Sequence, residues 1–167
     1  MVHKIGDKIL YGAVGIMEII DIREECIGST AKKYYVLREV NATSDAQTYV
    51  PCDNERLVSL MHPLLSKKEV RALIECNDIP DIEWEQNNRL RSEKYHEIME
   101  SGDRYGMLSM IKSIEKMGEV RASEGKKNYI ADDTAMRKAI RLLNLEISLV
   151  MDIPLEQVPE YLDGIKK

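Results

Sequence analysis

The sequence predicts an α+β chain in two parts: a small SH3- or Tudor-like β-barrel over residues 1–60, then an all-α domain of about five helices over residues 61–167. Three observations predict it. Short β-branched and aromatic runs broken by turn residues crowd the first third of the chain. That pattern stops near residues 58–65. Beyond it, apolar residues recur at steps of three and four behind helix-capping signals.

In the first part, runs such as Lys8-Ile9-Leu10-Tyr11, Gly15 to Ile20, Lys33 to Arg38 and Gln47-Thr48-Tyr49-Val50-Pro51 read as strands, of which about five are expected. Gly6-Asp7, Gly12, Gly28-Ser29 and Asn41 to Asp45 supply the turns. Five short strands in so little chain favour a curled barrel over a large open sheet.

The second part opens with Ser66-Lys67-Lys68-Glu69, a capping box in which Ser and Glu satisfy each other's orphan backbone N–H groups. Val70, Leu73 and Ile74 follow at helical spacing, and Asn77-Asp78-Ile79-Pro80 stops that helix. A second helix is expected over residues 86–100, ended by Ser101-Gly102-Asp103, and a third over 104–123. Asp132 and Asp133 open a long helix, where negative charge suits the positive end of the dipole. Pro154 begins a last short helix reaching Leu162. The nine methionines and the absence of Phe make the core flexible and aliphatic.

Composition narrows the function. A net charge of −5 disfavours a protein that grips DNA by phosphate contacts alone, since that affinity comes from Lys and Arg displacing counterions. No apolar run approaches the roughly 20 residues of a membrane span, and the charged start lacks a secretion signal, so a cytoplasmic location and no membrane partner are expected. Cys26, Cys52 and Cys76 show no CxxC pair and read as partly buried thiols. His3, His62 and His96 fall in different elements, so neither a metal nor any other cofactor is expected. Carboxylate groups such as Glu24-Glu25 or Asp81 with Glu83 and Glu85 lack a pocket that would set their pKa values apart. No nucleophile motif or phosphate loop is present. An enzyme is not expected, nor a small-molecule ligand.

One residue stands apart. Trp84, the only tryptophan, sits in the connector Ile79-Pro80-Asp81-Ile82-Glu83-Trp84-Glu85 and not in an apolar stripe. It is either a plug between helices or an aromatic wedge at an interface. Arg89, Arg91 and Lys94 follow it, and Lys126, Lys127 and Lys138 form a second basic group.

These residues meet a known pattern. Ile5-Gly6-Asp7-Lys8-Ile9-Leu10-Tyr11 resembles the opening of the CarD/CdnL family of bacterial transcription regulators, and Gly15, Gly28, Tyr34-Tyr35-Val36-Leu37 and Val50-Pro51 continue it. Trp84, Ser101-Gly102-Asp103 and Leu143-Asn144-Leu145-Glu146 fit the family's helical half, so the resemblance covers nearly the whole chain. Each motif alone is weak; their order and spacing carry the likeness.

The resemblance implies a division of labour. The β-domain, similar to the polymerase-interacting domain of transcription-repair coupling factor, would dock on the RNA polymerase β subunit by strand addition. Arg23, Glu24, Glu25, Ile27, Tyr49, Val50 and Pro51 would face it. The helical domain would lie on promoter DNA at the upstream edge of the melted bubble, with Trp84 in the minor groove and Arg89, Arg91, Lys94, Lys126, Lys127 and Lys138 around it. Two departures stand out: Glu24, with Arg23 beside it, and Tyr49 occupy positions where some relatives carry arginine. The segment from Trp84 to the Ser101-Gly102 break is also about one helical turn longer than in several relatives. The competing expectation is a protein-only interaction module with Trp84 in its core.

Overall fold

The computed structural model describes residues 3–27 and 30–165 and divides the chain into two compact units, Met1–Leu64 and Leu65–Lys167. The Gly28-Ser29 turn signal lies outside the described residues.

The first unit is a five-stranded antiparallel sheet of β1 (Lys8–Tyr11), β2 (Gly15–Ile27), β3 (Thr30–Glu39), β4 (Gln47–Pro51) and β5 (Met61–Pro63), in the order β4-β3-β2-β1-β5. Helix α1 (Glu55–Ser59), capped by the Asn54 side chain, bridges β4 and β5. Its Leu57 and Val58 pack on a core of Ile9, Tyr11, Met17, Ile19, Leu37, Val50 and Met61.

Three features differ from the sequence reading. β2 and β3 are far longer than expected and pair from Met17↔Glu39 out to Ile27↔Thr30, with a bulge between Ile19 and Asp21. The consecutive charged residues toward their far end, Glu24↔Lys33 and Glu25↔Lys32, interrupt the apolar alternation and so hid the extension. Helix α1 was not expected, because five residues are too few for a visible period. The unit also runs to Leu64, past residue 60, because Met61–Pro63 pairs with Ile9–Tyr11 and adds β5 outside β1.

The second unit holds α2 (Lys67–Ile74), α3 (Asn88–Glu100), α4 (Arg104–Ser123), α5 (Ile130–Met151) and α6 (Val158–Ile165), with a 3-10 turn at Leu155–Gln157. The capping box on α2 is present in both directions: Ser66 Oγ accepts from Glu69 N–H, and Glu69 Oε2 accepts from Ser66 N–H. Helix α5 is the centre, packing on α2, α3, α4 and α6. Val70, Ile147 and Val158 form one buried cluster, and Met107, Met110 and Ile114 are buried on α4.

Two buried ion pairs fix α5 lengthwise. Arg91 on α3 holds Asp132 through Nε–Oδ1 at 3.0 Å and Nη2–Oδ2 at 2.9 Å. Arg104 on α4 holds Glu146 through Nε–Oε2 at 3.0 Å and Nη2–Oε1 at 2.7 Å. Asp132 and Glu146 lie fourteen residues apart, about four turns, so both face the same side of α5. Such forked pairs specify geometry because guanidinium and carboxylate match plane to plane. Asp132 stands in the first turn of α5, as the dipole argument expects, and is in addition a buried strut.

Among the described residues no helix is long and apolar enough to cross a membrane. Cys52 and Cys76 are half-buried, whereas Cys26 is exposed near the end of β2 and not partly buried as expected.

Candidate functional site

The connector between α2 and α3 is irregular because Asn77-Asp78-Ile79-Pro80 denies it a helix, yet its backbone is held at close intervals. Lys112 Nζ donates to Ile79 O at 2.8 Å, Ser113 Oγ to Ile82 O at 3.3 Å, Lys94 Nζ to Glu83 O at 3.3 Å and Arg91 Nη1 to Glu85 O at 2.7 Å. Asp81 pairs with Lys112 at 3.0 Å and Lys116 at 3.4 Å, and these cations hold its carboxyl below the usual carboxylate range. Trp84 therefore sits on a pinned loop.

Its side chain is half-buried, so it is neither a core plug nor a free wedge. One face of the indole is covered by the Arg91 guanidinium, whose Cζ lies 4.4 Å from the ring centroid. Arg91 Cζ is also 5.0 Å from the Tyr129 ring, and Arg121 Cζ stacks on that same ring at 4.0 Å. The order Trp84–Arg91–Tyr129–Arg121 is a ladder of alternating π faces and cations, each contact drawing the cation to the ring quadrupole. Behind it, burial first and then the Asp132 carboxylate push the Tyr95 phenol up to about 12.

The loop between α4 and α5 folds back on α4. Arg121 Nε donates to Lys127 O at 2.8 Å, and Lys126 N–H to Arg121 O at 2.8 Å. Asn128 lies so close to Gly118 that a Cβ there would stand 2.8 Å from Asn128 Oδ1. Asn128 Nδ2 in turn donates to Asp133 Oδ1 at 2.9 Å, so the second aspartate also serves the loop.

Helix α5 then starts against local preference. Its N-cap is Tyr129, with no side-chain capping bond, where Ser, Thr, Asp or Asn is favoured. The first helical residue is Ile130, 85% exposed, and Tyr129 is itself 37% exposed. Capping does not explain these two residues, and an isoleucine that exposed is not there to pack. Tyr129 is repaid by its stacking with Arg91 and Arg121, whereas at Ile130 a local rule is broken without a structural return, which marks a candidate functional position. Tyr129, Ile130 and Arg121 were missed from sequence; the missing cap ahead of Asp132-Asp133 was the available signal.

In the first unit, the outer edge of β4 has no paired strand among the described residues. Arg23 on β2 reaches across β3 to Tyr49 on β4: its Cζ lies 5.3 Å from the Tyr49 ring centroid and its Nη2 donates to the Tyr49 hydroxyl. Tyr49 donates in turn to Gln47 Oε1 at 3.1 Å, and Tyr34 meets the Tyr49 ring edge-on at 6.3 Å. Arg23 also pairs with Glu25 at 3.0 Å. The result is an exposed polar-aromatic cluster beside a free strand edge.

The family model for the CarD-like/TRCF RID domain matches residues 3–64. The first unit is a CarD-like/TRCF RID domain. No curated protein shows significant similarity to the chain. The match gives the unit an RNA polymerase-interacting, transcription-related class and coincides with the five-stranded sheet and its connecting helix.

Of the residues expected to face polymerase, the RID domain brings together Arg23, Glu25 and Tyr49, and places Pro51 half-buried at the end of β4. Glu24 is exposed, but successive side chains of a strand alternate in face, so it points away from Arg23 and Glu25. Val50 is 0% exposed, so its side chain cannot meet a partner and only its backbone could. Ile27 ends β2, and its side chain lies outside the described residues.

Of the residues expected to face DNA, Arg91 must be withdrawn. Its side chain is 2% exposed and its guanidinium is committed to Asp132, Glu85 O and Asn88 Oδ1, which leaves nothing for a phosphate. Arg89 is exposed and pairs with Glu93 at 2.9 Å, while Lys94 is half-buried with its ammonium on Glu83 O. Lys126 is exposed and pairs with Glu124 at 2.7 Å; Lys127 and Lys138 are exposed.

Proposed function

We propose that the chain is a non-catalytic transcription adaptor. Its RID domain docks on the RNA polymerase β subunit through the free edge of β4 and the Arg23–Tyr49 cluster. Its helical unit contacts promoter DNA at the upstream edge of the bubble through Trp84, Tyr129, Ile130 and the cations Arg89, Lys126, Lys127 and Lys138, and so stabilises the open complex. The reading rests above all on one observation: a chain carrying a CarD-like/TRCF RID domain also holds a pinned, half-exposed tryptophan in a cation–π ladder.

The acidic balance fits such a tether. Mooring on polymerase raises the effective concentration of DNA at the second contact, so little free affinity is needed. About 1.4 kcal/mol of preference for the open form shifts its population tenfold.

The test is the lifetime of promoter open complexes. Wild-type protein should lengthen it, Trp84→Ala should shorten it, and both should bind the β subunit equally. A Trp84→Ala protein as effective as wild type sinks the DNA contact; a full-length chain that ignores the β subunit sinks the whole reading.

The charge of −5 favours a second reading, a protein-only module with no DNA contact. It predicts indifference to DNA even with polymerase present.

A further inference from the structure

The helical unit contains an apolar cavity of about 570 Å³, walled by α2, α4, α5 and α6 and by Ile79 of the connector. The sequence held no sign of it, because its walls come from segments up to ninety residues apart. We infer that this cavity is a binding site for a small, neutral, aliphatic molecule, a site separate from the proposed DNA contact.

Size, surface and charge lead there. The volume lies within the roughly 300–1,000 Å³ typical of ligand pockets. Leu108, Ile111, Ile140 and Leu162 line it and are only half-buried, so aliphatic surface stands unfilled. No aromatic side chain lines the cavity, so recognition there rests on non-directional apolar contact and not on ring stacking.

Charge excludes an ionic head. Lys112 lines the cavity, but its ammonium is taken by Ile79 O and Asp81, and Asp81 also pairs with Lys116. Glu115 is the other charged lining residue, so Lys112, Lys116, Asp81 and Glu115 sum to zero. Lys112 and Glu115 both lie exposed to water, so an ionic head of either sign drawn into the cavity would find no buried counter-charge to replace its hydration. Asn144, half-buried in the wall, offers the donor and acceptor that a hydroxyl or amide head needs.

The test uses the full chain and the neutral dye N-phenyl-1-naphthylamine. The dye should bind saturably at one site. Decanol should displace it at a concentration about tenfold lower than decanoate or decylamine. Ile140→Phe and Leu162→Phe, which fill the space, should each weaken the dye by about tenfold or more, and Leu108→Asn provides a third variant if a filled one fails to fold. Non-saturable binding overturns the proposal. So does equal displacement by all three chains, or unchanged binding in folded variants. Dye affinity that falls with protein concentration as a dimer forms would also overturn it, by assigning the cavity to a second copy.

Discussion

Arg91 lies with its Cζ 4.4 Å from the Trp84 ring centroid and 5.0 Å from that of Tyr129, while its Nε and Nη2 hold both oxygens of Asp132. A single buried cation thus ties the connector, α3 and the start of α5 together. Removing it strands Asp132 in a site that is 2% exposed. Arg91→Met should cost about 3–5 kcal/mol in urea unfolding, and Arg91→Met with Asp132→Leu should recover most of it, because the stranded charge is the larger penalty. Equal losses in the single and double variants would show that the pair is not what matters.

Ile130 separates stability from function. It is 85% exposed at the first position of α5, where an acidic residue suits the helix dipole. Ile130→Asp should leave stability unchanged or raise it by up to about 0.5 kcal/mol. The same variant should shorten open-complex lifetime, because an apolar contact becomes a repelling charge. A lifetime equal to wild type removes Ile130 from the DNA-facing set and leaves Trp84 in it.

Gly118→Ala tests the loop that presents Lys126 and Lys127. The added Cβ would stand 2.8 Å from Asn128 Oδ1, and Asn128 is held by Asp133. We expect a loss of about 1 kcal/mol and faster amide hydrogen exchange confined to residues 124–129. Exchange that rises uniformly across the helical unit would argue against a local clash.

On the RID domain, Tyr49→Ala and Val50→Ala should diverge. Tyr49 is 41% exposed and Val50 is not exposed at all. Tyr49→Ala should weaken β-subunit binding by about 1–2 kcal/mol with little loss of fold. Val50→Ala should instead lower the unfolding midpoint by an amount worth about 1–2 kcal/mol. Isothermal titration and chemical denaturation read the two effects separately.

His3 makes the first unit acid-sensitive. It is buried edge-on against Tyr35 at 5.9 Å, and burial holds its imidazole below the ordinary 6.5 despite the opposing pull of Asp7. The neutral form belongs to the fold. This stability is therefore complete above pH 6.5 and lost as pH falls from there through the lower folded value. His3→Phe, which keeps the packing, should flatten that slope in denaturant midpoints measured from pH 7 to 5; an unchanged slope assigns it to other groups.

The elements that local chemistry can name were legible. Ser66 with Glu69 announces the start of α2, and the break after Glu100 separates α3 from α4. The β-domain signature from Ile5 to Pro51 names the unit that the CarD-like/TRCF RID match covers. Trp84 was marked by its place outside any apolar stripe, a property of the chain alone.

Which cation is a tool and which a strut was decided by tertiary structure alone. Arg89 and Arg91 are two residues apart and alike as letters, yet Arg89 is exposed and Arg91 meets a carboxylate forty-one residues away. Charge and spacing along a chain fix what a side chain can bind, but desolvation depends on what the rest of the fold brings beside it. For that reason Tyr129 and Ile130 stayed unmarked in the sequence and emerged only where α5 begins with its apolar side chains turned to water.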